Sequence, residues 1–113
     1  MNKQIDIADF LQIDMRIWTV LSVKDNVWAK KHAYILELDF GAEIWVKTTS
    51  AQLTKNYVVN DLLWKQLVAV INFPAIRVNW VKSEVLVLWW ISDEKGVVLL
   101  EPSLSLENGS KIA

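Results

Sequence analysis

Alternation of apolar and polar positions carries most of the structural information in this chain. Across Tyr34–Phe40, Tyr34, Leu36 and Leu38 fall on one side and Ile35, Glu37 and Asp39 on the other. That period of two predicts a half-buried strand. Gly41 predicts a turn and Ile44–Thr49 the returning strand, so Tyr34–Thr49 reads as a hairpin. Ile13–Val23 alternates imperfectly through Met15, Ile17, Thr19 and Leu21, as a long strand curving round a barrel does. Gln66–Asn72 is apolar and β-branched and predicts a buried strand, ended by Pro74. Glu84–Ile91 predicts a further strand, Asp93–Gly96 a hairpin turn and Val97–Glu101 the last strand.

The intervening segments lose this period. Ile5–Ile13 reads as a short helical or irregular lead-in with Asp9 near its N-terminus. Over Ser50–Lys65 the apolar residues follow no alternation, and Asn60 is the candidate N-cap of a short helical turn through Asp61, Leu62 and Leu63. Lys24–His32 and Ala75–Lys82 read as loops, and Asn108-Gly109 as a turn. Five or six strands with one short helical stretch between the third and fourth predict a mainly all-β fold. The matching architecture is a five-stranded OB-fold barrel with a short helix and terminal extensions; a β-sandwich is its rival. With 113 residues, no repeat and no linker, residues 1–113 are expected to form a single domain.

Composition narrows the chemistry. Hydrophobic residues make up 53% and charged residues 22%, and no apolar run approaches the roughly 18 residues of a membrane span. The first ten residues lack the basic flank and cleavage site of a secretory signal. Together with the absence of cysteine, this leads to the expectation of a cytoplasmic protein. One histidine, His32, and no cysteine argue against a metal centre, and three isolated glycines form no phosphate loop. No cofactor and no enzymatic activity are expected. A net charge of −1 gives no global attraction to nucleic acid. RNA binding would need a local patch, with Lys30, Lys31, Arg77 and Lys82 as candidates.

Several stretches together resemble the CsaA family of export-related chaperones, within the wider group of tRNA-binding domains. They are Asp14-Met15-Arg16-Ile17, Leu38-Asp39-Phe40-Gly41, Thr49-Ser50-Ala51-Gln52-Leu53-Thr54-Lys55, Val70-Ile71-Asn72-Phe73-Pro74, Lys82-Ser83-Glu84-Val85-Leu86-Val87-Leu88 and Asn108-Gly109-Ser110-Lys111-Ile112-Ala113. The resemblance implies an OB-fold homodimer, with the chain ends and helical stretch at the dimer contact. It implies unfolded preproteins and the secretion motor SecA as partners, with tRNA as the alternative ligand. Carried over residue by residue, the groove involves Ser50 and Gln52 after the third strand, with Phe73 and Pro74 as an apolar floor. Arg77, Lys82, Ser83 and Glu84 lie around the following loop. Such a trough with polar anchors suits an extended peptide; phosphate contacts would fall to Arg77, Lys82 and Lys31.

The tryptophans depart from that resemblance. There are seven: Trp18, Trp28, Trp45, Trp64, Trp80, Trp89 and Trp90. The family pattern expects glycine near Trp18, Trp45, Trp64, Trp80 and the Trp89-Trp90 pair. Seven indoles would overpack a small barrel, or line a binding surface, with Trp45 and Trp80 as candidate groove aromatics. The coordinated pattern reads as an engineered variant with glycine-to-tryptophan changes; a natural member with an aromatic-rich groove, or a scaffold whose groove is filled, are the alternatives.

Overall fold

The computed structural model describes every residue except Met1, residues 29–32, Asn79, Ile91 and Asp93. The expectations for Lys30, Lys31 and His32 therefore lie outside the described residues. Helix α1 (Ile7–Leu11) opens the described chain, and the Asp9 carboxylate accepts a hydrogen bond from the Asp6 backbone N–H at 3.2 Å. Strands β1 (Met15–Asp25), β2 (Tyr34–Asp39) and β3 (Val46–Ala51) follow, then α2 (Val59–Leu62) and β4 (Gln66–Val70). The remaining strands are short: β5 (Ile76–Val78), β6 (Val81–Ser83), β7 (Leu86–Val87), β8 (Trp89–Trp90) and β9 (Val98–Leu99).

Five antiparallel strands form the main sheet in the order β3-β2-β1-β4-β7. Strand β1 is long because it serves both halves. Its first part pairs with β4 and its last part with β2, and Thr19 faces Gln66 on one side and Asp39 on the other. A register shift between Val20 and Ser22 increases the local bend. The sheet then curls until β3 meets the segment after β6, where the Glu84 N–H donates to the Thr48 carbonyl at 2.9 Å. The result is a nearly closed barrel of the OB type.

The core follows the alternation. Tyr34, Leu36 and Leu38 point inward from β2 and pack with Val20, Leu53, Leu62, Leu67 and Val87. The C-terminal segment docks on β1: Gly109 N–H donates to the Ile17 carbonyl and Ile112 N–H to that of Met15. Arg16 holds this segment from below. Its guanidinium grips the Asp14 carboxylate at 2.6 and 3.2 Å and donates to the Gly109 carbonyl at 3.0 Å. Gly109 has φ +90, and a Cβ there would collide with the Phe40 carbonyl oxygen.

Three local expectations are corrected. Ala75–Lys82 is not a loop: Ile76–Val78 and Val81–Ser83 pair as a hairpin. Glu84–Ile91 is not one strand but β7 and β8, which pair with different partners, β4 and β9. The N-cap of α2 is Val58 rather than Asn60, and Asp61 accepts the Val58 N–H at 3.1 Å.

The tryptophans do not overpack the barrel. Trp18 alone joins the core, where it is fully buried against Phe40. Trp28, Trp45, Trp64, Trp80 and Trp90 are each more than 60% exposed, and Trp89 is 40% exposed. Burying Trp18 leaves its indole N–H with no hydrogen-bond partner.

Candidate binding groove

Two short hairpin strands and the segment after them build an apolar hollow beside the barrel closure. Its walls are Phe73, Pro74, Ile76, Val85 and Leu86, with Ser83 and Glu84 as the polar residues, around a cavity of about 380 Å³. Strand β4 ends at Val70, so the chain has left the sheet before Phe73 and Pro74, and Phe73 is half exposed. The hairpin then returns Ser83 to the barrel.

Ser83 is held by Thr49, with their hydroxyl oxygens 2.7 Å apart. The Thr49 hydroxyl also donates to the Val85 carbonyl at 3.0 Å. Its one proton being spent there, Ser83 is the donor in the hydroxyl pair. Lys47, from the same strand as Thr49, reaches the Glu84 carboxylate at 3.5 Å. Both groups are partly exposed, so this pair orients Glu84 more than it stabilises the fold.

Arg77 and Lys82 face each other across the β5–β6 hairpin. Like charges directly opposed on a ladder destabilise it. Both side chains are exposed, and among the described residues neither forms an ion pair. The hairpin thus presents an unneutralised dication next to the apolar hollow.

Phe73, Pro74, Ser83 and Glu84 share one cavity, with Arg77 and Lys82 on the adjoining hairpin. Ser50 and Gln52 do not line that cavity. On β3, next to Thr49, Ser50 pairs with Ile35 of β2, and Gln52 is exposed just past the strand end. Trp45 lines a separate open hollow with Asp39, Gly41, Ala42 and Val46. Trp80 is exposed at the turn before β6 and does not line the apolar cavity.

Residues 15–111 match the model of a family described as a putative tRNA binding domain. Among solved structures, the chaperone CsaA from Bacillus anthracis str. Ames superposes with a TM-score of 0.92 at 46% identity, over 98% of this chain and 100% of that one. The CsaA chaperone from Picrophilus torridus gives 0.91 at 43% identity, over 97% and 100%. The chain belongs to the CsaA family of tRNA-binding domains. It is also 32% identical over 110 residues to the methionine–tRNA ligase of Pyrococcus horikoshii; those residues are 97% of this chain but 15% of that enzyme.

In this CsaA-family barrel, sequence reasoning misses Thr49, Lys47, Ile76, Val85 and Leu86 as groove residues. Val85 and Leu86 stand inside the Lys82–Leu88 motif and could be found from it. Thr49 opens the Thr49–Lys55 motif, but its role does not show there, because its partners lie 34 and 36 positions away.

Proposed function

We propose that this chain is a binding module that holds extended segments of unfolded preproteins, as an export chaperone of the CsaA type. It acts as one domain over residues 1–113, as a homodimer in the cytoplasm, with the secretion motor SecA among its partners and no catalysis of its own. The observation that carries this reading is the hollow at Phe73–Leu86. Five of its seven lining residues are apolar, and Ser83 and Glu84 supply polar anchors at its edge. An extended peptide needs apolar pockets for alternate side chains and a few hydrogen-bonding groups. Support for the dimer comes from Ile5, Ile7 and Leu11 near the N-terminus and Leu104 and Leu106 near the C-terminus, all of them exposed apolar side chains.

One observation favours tRNA as a second ligand class. The opposed Arg77 and Lys82 side chains are suited to phosphate oxygens.

Titration of the protein with an unfolded preprotein and with bulk tRNA, at two salt concentrations, separates the readings. Preprotein binding that tolerates salt is the expected result. Binding to tRNA alone, falling steeply with salt through counterion release, would replace the chaperone reading with the nucleic-acid one. Silence with both ligands from folded protein would leave a scaffold without a ligand.

A further inference from the structure

Among the described residues, only two residue types occupy the left-handed region of backbone space. Gly41, Gly96 and Gly109 have φ of +92, +73 and +90, and they are the only glycines in the chain. Among the other described residues, positive φ occurs at Trp45 (+75), Trp64 (+67) and Trp80 (+69) and nowhere else. No described asparagine or aspartate, the usual non-glycine occupants, shares this conformation. A bulky aromatic residue is among the least suited to it, because its Cβ crowds the following carbonyl.

These three residues are not free to relax. Trp45 N–H donates to the Gly41 carbonyl at 2.8 Å, and the Trp45 carbonyl accepts the Phe40 N–H at 3.1 Å, closing the turn into β3. Trp64 N–H donates to the Val20 carbonyl at 2.9 Å, fixing the passage from α2 into β4. Trp80 sits in the tight turn between β5 and β6. None of the three indoles offsets the strain by burial: they are 73%, 70% and 72% exposed. Composition agrees. Average usage of about 7% glycine would give about eight in this length, and the chain has three glycines and seven tryptophans.

We propose that positions 45, 64 and 80 carry glycine in the protein the cell makes, their codons being UGA read as glycine rather than as tryptophan. UGA is a codon whose meaning differs between genetic codes, and a chain written with the wrong assignment acquires tryptophan wherever the cell inserts that other residue. Filling of the Phe73–Leu86 groove does not account for the pattern: none of the three residues lines it, and Trp45 and Trp64 border other, open hollows. The consequence for binding is direct: positions 45 and 80 offer a ligand bare backbone turns, not indole platforms. Stacking on aromatic side chains there plays no part in recognition.

The deciding experiment is peptide mass spectrometry of the protein isolated from its own organism, with the gene sequenced at the same three codons. Glycine masses at all three positions and UGA codons are expected. Tryptophan masses, or UGG codons, would overturn the proposal. A second measurement tests the conformational premise in recombinant protein made with tryptophan throughout. Trp45→Gly, Trp64→Gly and Trp80→Gly should each raise Tm by a few degrees, while Trp28→Gly, at an exposed position without positive φ, should not. Unchanged or lowered Tm at the three positions would overturn that premise.

Discussion

The Ser83 hydroxyl donates to that of Thr49 across the seam where the barrel closes, at 2.7 Å, and Thr49 passes a second hydrogen bond on to the Val85 carbonyl. Thr49 is one of two buried polar residues among those described, and it joins β3 to the wall of the groove. Thr49→Val keeps the shape and removes the hydroxyl, leaving the Val85 carbonyl without that donor. It should cost about 1–3 kcal/mol in urea unfolding. Thr49→Ser should retain most of the stability. A loss with Thr49→Ser and none with Thr49→Val would assign the effect to the methyl group instead.

Arg77 and Lys82 face each other on the hairpin and are exposed. Replacing both by alanine should weaken tRNA binding and lower its salt slope by about two, one for each lost phosphate contact. Binding of an apolar preprotein segment should change little, because the hollow lined by Phe73, Val85 and Leu86 is untouched. Parallel titrations with the two ligands check this, and equal losses would show one shared site.

Tyr34 predicts an alkaline limit to stability. Burial raises the pKa of its phenol, and the charges of Asp25 and Asp61 raise it further. Its hydroxyl donates to the Tyr57 carbonyl at 3.0 Å, a bond only the neutral form makes. The unfolded phenol titrates near pH ~10. The folded protein therefore holds the proton more tightly, and this contribution is fully present below that value. It is lost as pH rises through the higher folded pKa. Unfolding free energy measured against pH should fall above ~10 in the parent more steeply than in Tyr34→Phe. Identical slopes would remove Tyr34 as the cause.

Trp18 combines full burial with an unpaired indole N–H. Trp18→Ala should cost about 3–5 kcal/mol from the void it leaves beside Phe40. Trp18→Phe keeps an aromatic ring in the core and discards the unpaired donor, whose burial costs about 1–3 kcal/mol. Thermal unfolding should find Trp18→Phe far closer to the parent than Trp18→Ala.

Part of this architecture is legible in the residues themselves. The Tyr34–Thr49 hairpin is readable because one side of β2 is buried and one is not, and burial imposes a period of two. The β5–β6 hairpin is not, because three-residue strands joined by a tight turn are too short to show a period. The split of Glu84–Ile91 is also hidden. An apolar run looks the same whether it pairs with one neighbour or changes partner midway, as β7 and β8 do. The sequence motifs point to Phe73, Pro74, Ser83 and Glu84, which line one hollow, and also to Ser50 and Gln52, which do not.

The sequence by itself determined the strand-rich architecture, the turns at Gly41, Gly96 and Gly109, and membership of the family, because alternation, turn chemistry and motif order are local properties of the chain. Tertiary structure alone decided which tryptophan is core and which stand exposed. It also decided that Thr49 meets Ser83, and that Trp45, Trp64 and Trp80 adopt left-handed backbone. Barrel closure brings distant segments into contact and dictates the dihedral angles of the turns between them, and neither constraint is written in the residues on which it falls.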